Sequence, residues 1–159
     1  MLQLTTRGDL EIVMTREFNA KRKLVFDALT KPELVSRWLL GPPDWTMPIC
    51  EIDLRAGGAY RYVWRHASGK EMGLSGVYRE VKAPARIVCT EKFDQPWYPG
   101  EVLDITTLEE KAGRTTLTLT ILCDSKETRD VMLKSGMERG VAMSYDRLEE
   151  LLAMAGTEG

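Results

Sequence analysis

The sequence predicts an α+β fold in which one curved antiparallel sheet is crossed by a long C-terminal helix. Three observations carry this. From Trp45 to Cys123 the segments repeatedly alternate apolar and polar side chains with the period of two of a strand. Two short helical patterns stand together nearer the N-terminus. The last run, Lys126 to Ala155, has no proline and sets Leu133, Met137, Val141, Tyr145, Leu148 and Leu152 three or four residues apart, one face of an α-helix. Glu138, Arg139, Asp146, Glu149 and Glu150 fill its other side. Strands grouped apart from helices define the α+β class. The 159 residues suit one domain, 1–159, with a sizeable core.

Taken in order, Asp9 to Phe18 alternates Ile12, Met14, Arg16 and Phe18 against Glu11, Val13, Thr15 and Glu17. It predicts a strand, near a sheet edge because both faces carry charge. Ala20 to Thr30 switches to helical spacing through Leu24, Val25, Ala28 and Leu29. Pro32 opens a second short helix, Pro32 to Trp38, since proline lacks only a donor that is orphaned in a first turn. Neither helix has the basic face of a DNA reader. After the Gly41-Pro42-Pro43-Asp44 loop come strands over Thr46–Leu54, Ala59–His66, Glu71–Val81, Arg86–Phe93, Glu101–Glu109 and Thr115–Cys123. Between the first two, Arg55-Ala56-Gly57-Gly58 predicts a turn with a glycine at positive φ. Asp94 to Gly100, with Pro96, Trp97 and Pro99, predicts an irregular loop. The total is seven strands, two short helices between the first and second strands, and one long helix.

Composition narrows the partners. A formal net charge of −2 gives no nucleic-acid footprint. No long apolar run predicts a membrane span, and the N-terminus lacks a signal-peptide pattern. Three dispersed cysteines, Cys50, Cys89 and Cys123, fit free thiols and a cytoplasmic location better than a disulfide framework. Neither they nor the lone His66 have metal-ligand spacing, so no metal or cofactor is expected.

Several stretches carry a family resemblance: Arg16-Glu-Phe-Asn-Ala20, Ala28-Leu-Thr-Lys-Pro-Glu33, Arg37-Trp38 with Gly41-Pro42, Asp53-Leu-Arg-Ala-Gly-Gly58, Gly76-Val-Tyr-Arg-Glu-Val81, Pro84-Ala-Arg-Ile-Val88, and Gly136-Met-Glu-Arg-Gly140 leading to Tyr145-Asp-Arg-Leu148. Together they cover nearly the whole chain. The chain resembles the START-related, pollen-allergen-like helix-grip (SRPBCC) superfamily, and within it bacterial homologues of the activator of heat-shock protein 90 ATPase. The resemblance implies a seven-stranded sheet wrapped around the last helix with a deep cavity between them. Ligand carriers, cyclases and co-chaperone domains share this scaffold, so it implies no single activity. The chain departs from the eukaryotic co-chaperone in having no room for a separate N-terminal domain. It also has Trp38-Leu39-Leu40 where many relatives have paired tryptophans.

The candidate site follows from the strand faces. Tyr60, Tyr62, Trp64 and His66 share one face; turned inward, rings with polar tips suit an apolar pocket that orients a ligand by a few hydrogen bonds. Trp38 and Trp45 flank the mouth, Trp97 is a candidate lid, and Met72, Phe93, Met137, Val141 and Tyr145 supply walls. The competing reading is that these side chains simply fill the core. The expected function is non-enzymatic binding of a small apolar or aromatic molecule. The alternatives are a cyclase- or hydrolase-type enzyme, which needs His66 paired with Glu71 or a tyrosine, and a chaperone accessory. Gly136, Gly140 and Ser144 form a small-residue stripe on the last helix, read either as close approach of sheet and helix or as room for a ligand. Met132, Met143 and Met154, eleven apart, are placed away from the core stripe, read either as a partner or homodimer face or as scattered surface methionines.

Overall fold

The structure, a computed structural model, describes residues 1–158. Its strands are β1 (Gln3–Arg7), β2 (Glu11–Phe18), β3 (Trp45–Ile52), β4 (Ala59–His66), β5 (Glu71–Lys82), β6 (Arg86–Phe93), β7 (Val102–Lys111) and β8 (Arg114–Cys123). Its helices are α1 (Arg22–Thr30), α2 (Pro32–Trp38), α3 (Lys126–Lys134) and α4 (Met137–Glu158). All eight strands form one antiparallel sheet in the order β1-β2-β8-β7-β6-β5-β4-β3. The α+β expectation holds, with two corrections to the elements.

The first concerns the N-terminus. β1 adds an eighth strand and pairs with β2 from Gln3↔Thr15 to Arg7↔Glu11. β2 therefore lies between β1 and β8, one strand in from the edge. The charge on its core face is Arg16, which is 5 % exposed. Its guanidinium donates to Asp146 Oδ1 at 2.8 Å and to Glu149 Oε2 at 3.1 Å, and lies 5.3 Å from the centre of the Phe18 ring. Arg16 thus reads as a charge in sequence but works as a tie from the sheet to α4.

The second concerns the long helix, which is broken in two. Ser135 Oγ caps the end of α3 by donating to Met132 O at 2.6 Å, and Gly136 adopts φ +80°. That left-handed conformation ends a helix at little cost only for glycine. The apolar spacing continues across the break because α4 restarts at once with Met137. The N-terminal end of α3 is capped by Ser125, whose Oγ accepts from the Thr128 amide at 3.1 Å.

Two bulges bend the sheet. One lies between Thr46 and Ile49 of β3, at Pro48, where an edge strand tolerates a missing donor. The other lies between Tyr78 and Glu80 of β5. The Gly57–Gly58 turn hooks onto it: Gly57, at φ +87°, donates to Tyr78 O, and Tyr78 donates to Gly58 O.

The core forms two clusters. One gathers Phe18, Val25, Val35, Trp38, Tyr60, Leu117, Tyr145, Leu148 and Leu152 under the later turns of α4. The other gathers Ile12, Met14, Tyr98, Val102, Ile121, Cys123 and Met132 beneath α3. Phe93, Leu119 and Val141 touch both and are only partly buried. Met132 is 1 % exposed and packs on Cys123, so the expected outward methionine face loses its first member; Met143 is half-buried and Met154 exposed. The helix breaks at Gly136, and Met132 falls on the inward side of α3.

Candidate functional site

Between the two core clusters lies a cavity of about 530 Å³. The sheet supplies its concave wall. α4 roofs it through Met137, Gly140, Val141, Ser144 and Tyr145, and the Leu39–Trp45 segment borders it. That segment is fastened to α4: the Gly41 amide donates to Ser144 Oγ at 2.9 Å, and Arg147 donates to Gly41 O at 2.7 Å. The alternatives for the glycine stripe separate here. Gly136 serves the chain break. A Cβ on Gly140 would meet nothing closer than Pro42 Cδ at 3.8 Å, so no close approach requires this glycine, and it leaves space at the cavity wall.

Of the residues expected at the site, Trp38, Trp45, Tyr60, Tyr62, Trp64, Met72, Phe93, Trp97, Met137, Val141 and Tyr145 all lie on this wall. His66 does not. Its ring sits 5.1 Å from Trp45, and its Nδ1 faces Ser68 Oγ at 2.9 Å. His66 is not paired with Glu71, which accepts instead from Arg65 at 2.6–2.8 Å. Trp97 is 37 % exposed and stands edge-on to Phe93 and Tyr98 in the 94–100 loop.

Several polar tips of the aromatic wall are already engaged. Trp38 Nε1 donates to Ala28 O at 2.7 Å, Trp64 Nε1 to Leu39 O at 2.7 Å, and Tyr60 Oη to Thr90 O at 2.6 Å. The Tyr62 and Tyr78 hydroxyls face one another. Burial pushes the hydroxyls of Tyr60, Tyr62, Tyr78 and Tyr145 upward, so they stay neutral. Burial likewise raises the Cys89 thiol on the wall, and those of Cys50 and Cys123 to about 11, which leaves all three as protonated, inert thiols.

Sequence reasoning missed the feature that sets the chemistry. Glu91 of β6 and Asp104 of β7 both line the cavity at the middle of the sheet. The register pairs Cys89 with Asp104 and Glu91 with Val102, which makes the two acids diagonal neighbours. Glu91 Oε2 accepts from Tyr98 Oη at 2.8 Å. Asp104 is partly buried at the cavity wall, and its Oδ1 atom has no solvent access and no hydrogen-bond partner among the described residues. Desolvation, then the neighbouring Glu91 charge and a hydrogen bond to it, raise the Asp104 carboxyl well above its usual range. A signal was present. Ile87, Cys89, Glu91 and Phe93 alternate along β6, and Val102, Asp104, Thr106 and Leu108 along β7, each placing one acid within an apolar face.

Among the described residues no Lys, Arg or His lines the cavity. No group of three or more His, Cys, Asp or Glu among them could hold a metal ion. No helix among them is long and apolar enough to cross a membrane.

A bent antiparallel sheet closed over an apolar cavity by a C-terminal helix defines the helix-grip class of proteins. The comparisons with known proteins narrow that class. The family described as activator of Hsp90 ATPase homolog 1-like protein matches residues 19–153, and the chain belongs to that family. Similar solved structures include a Rhodobacter sphaeroides protein, 28 % identical, with a TM-score of 0.91 over 96 % of this chain and 98 % of that one. Another is a Nitrosomonas europaea protein, 27 % identical, with a TM-score of 0.83 over 95 % and 99 %. An AHSA1-like protein of Aeromonas hydrophila, 18 % identical, shares the fold with a TM-score of 0.69 over 87 % and 93 %. No curated protein matches the chain.

Proposed function

We propose that the protein binds a small apolar or aromatic molecule in the cavity between the curved sheet and α4. The observation that carries this is the cavity itself. About 530 Å³ of space lies inside an 18.0 kDa protein, in the range of small-molecule sites, with aromatic rings around it and several of their polar tips already hydrogen-bonded. From α4, Gly140, Val141 and Ser144 present small side chains to it. The test is titration with a neutral apolar fluorophore such as Nile red. Binding should enhance dye emission and quench tryptophan. Trp64→Ala, which removes a wall ring, should weaken binding about tenfold or more, the scale of one lost aromatic contact. Wild-type protein that binds neither Nile red nor smaller neutral aromatics would sink the reading.

The family description supports a second reading, a chaperone accessory. It predicts a stable complex with a purified Hsp90 and stimulation of its ATPase. Absence of both effects removes it without touching the first reading.

A further inference from the structure

We infer that the cavity selects organic cations: amines on an apolar or aromatic body, with the ammonium group seated on the Glu91–Asp104 pair. This rests on the binding reading above and specifies its ligand.

Four ring donors at or beside the cavity are committed: Tyr60 to Thr90 O, Trp64 to Leu39 O, Trp38 to Ala28 O, and Tyr98 to Glu91. The carboxyl acceptors on the wall are concentrated at one place, Glu91 and Asp104. Asp104 Oδ1 is enclosed without a partner, and a buried polar atom of that kind calls for a compensating group. Glu91 beside it accepts from Tyr98 and shares a hydrogen bond with Asp104. Two adjacent carboxyls in a low-dielectric site do not both ionise unaided. Among the described residues no basic side chain stands on the cavity wall to pair with them.

An ammonium group supplies what the pair lacks: positive charge and up to three donors. Aromatic rings stand beside the pair: Tyr98 donates to Glu91, and Phe93 and Trp97, which line the cavity, pack edge-on with Tyr98; an aromatic ring attracts a cation over its face. A carboxylate-bearing ligand of equal size would place like charge beside the pair with no cation to relieve it. It is therefore disfavoured, although the apolar walls would accept its body.

The test uses three ligands on one bicyclic body: 2-naphthylmethylamine, 2-methylnaphthalene and 2-naphthoate, titrated calorimetrically at neutral pH into the whole protein. The amine should bind roughly 10–100-fold more tightly than the neutral hydrocarbon, the range of charge-assisted hydrogen bonds, and the naphthoate more weakly than either. The E91Q/D104N variant should lose the preference for amine while still binding 2-methylnaphthalene, which shows that its cavity remains intact. Should that variant fail to fold, E91Q alone should reduce the amine's advantage about tenfold or more. Naphthoate binding as tightly as the amine, or a preference for amine that survives in the variants, overturns the inference. If the hydrocarbon binds without any advantage for the amine, this inference fails and the cavity reading stands. If none of the three binds, both fail.

Discussion

Asp104 is where pH should act on this protein. Its carboxyl is raised well above the ordinary value of 3.8 by burial and by Glu91. The folded state therefore keeps a proton that the unfolded chain loses. Where the native state binds more protons than the unfolded one, stability falls as pH rises. The contribution of Asp104 is complete below about pH 3.8 and is lost progressively above it, up to the folded-state value. Asp104→Asn keeps the shape and never ionises. In urea unfolding from about pH 4 to pH 8, the midpoint of the variant should gain on wild type as pH increases. Parallel profiles would show that Asp104 ionises as freely in the folded protein as in the unfolded chain. Arg16 is the opposite case. It is a buried charge whose partners, Asp146 and Glu149, are exposed, so it holds α4 to the sheet and leaves the cavity without a cation.

At the scale of elements, two glycines in one helical run do different work. Gly136 sits at φ +80° between α3 and α4, where a Cβ meets no neighbour but the backbone disfavours any L side chain. Gly136→Ala should cost about 1–2 kcal/mol. Gly140 has ordinary helical geometry and open space around it, so Gly140→Ala should gain about 0.5–1 kcal/mol from helix propensity. Thermal and urea unfolding of the two variants should therefore shift in opposite directions. A shift in the same direction would mean that one continuous helix, as the apolar spacing alone suggests, is the better description. The break matters to the site because it lets α3 turn Met132 inward against Cys123 while α4 roofs the cavity.

At the scale of the molecule, a cavity of this size means that the protein has not used all the apolar contact its fold allows. Unfilled core space costs stability, and binding recovers some of it. Val141 joins both core clusters from the roof. Val141→Phe should add about 1 kcal/mol of buried apolar contact and raise the thermal midpoint by a few degrees. The same change should weaken Nile red binding at least tenfold. Gain of stability with loss of binding is the signature of a site held open; loss of both would mean that the wall is already fully packed.

Much of this was legible in the sequence by itself, for a local reason. Alternation along β3 to β8 and the steps of the last helical run depend on which side chains share a face, and a face is set within a few residues of chain. That sufficed for the α+β class, for β4, β6 and α2 to the residue, and for eleven of the cavity-lining side chains. Tertiary structure decided the rest. β1 has too little pattern to declare itself before it pairs with β2. Arg16 reads as surface until Asp146 and Glu149, 130 and 133 residues away in the chain, arrive to pair with it. His66 shares a strand face with Tyr60, Tyr62 and Trp64 but lies past the rim of the cavity they line. Glu91 and Asp104 are each a lone acid on an apolar strand face; only the register of β6 against β7 sets them side by side, and only burial gives that proximity its chemical consequence.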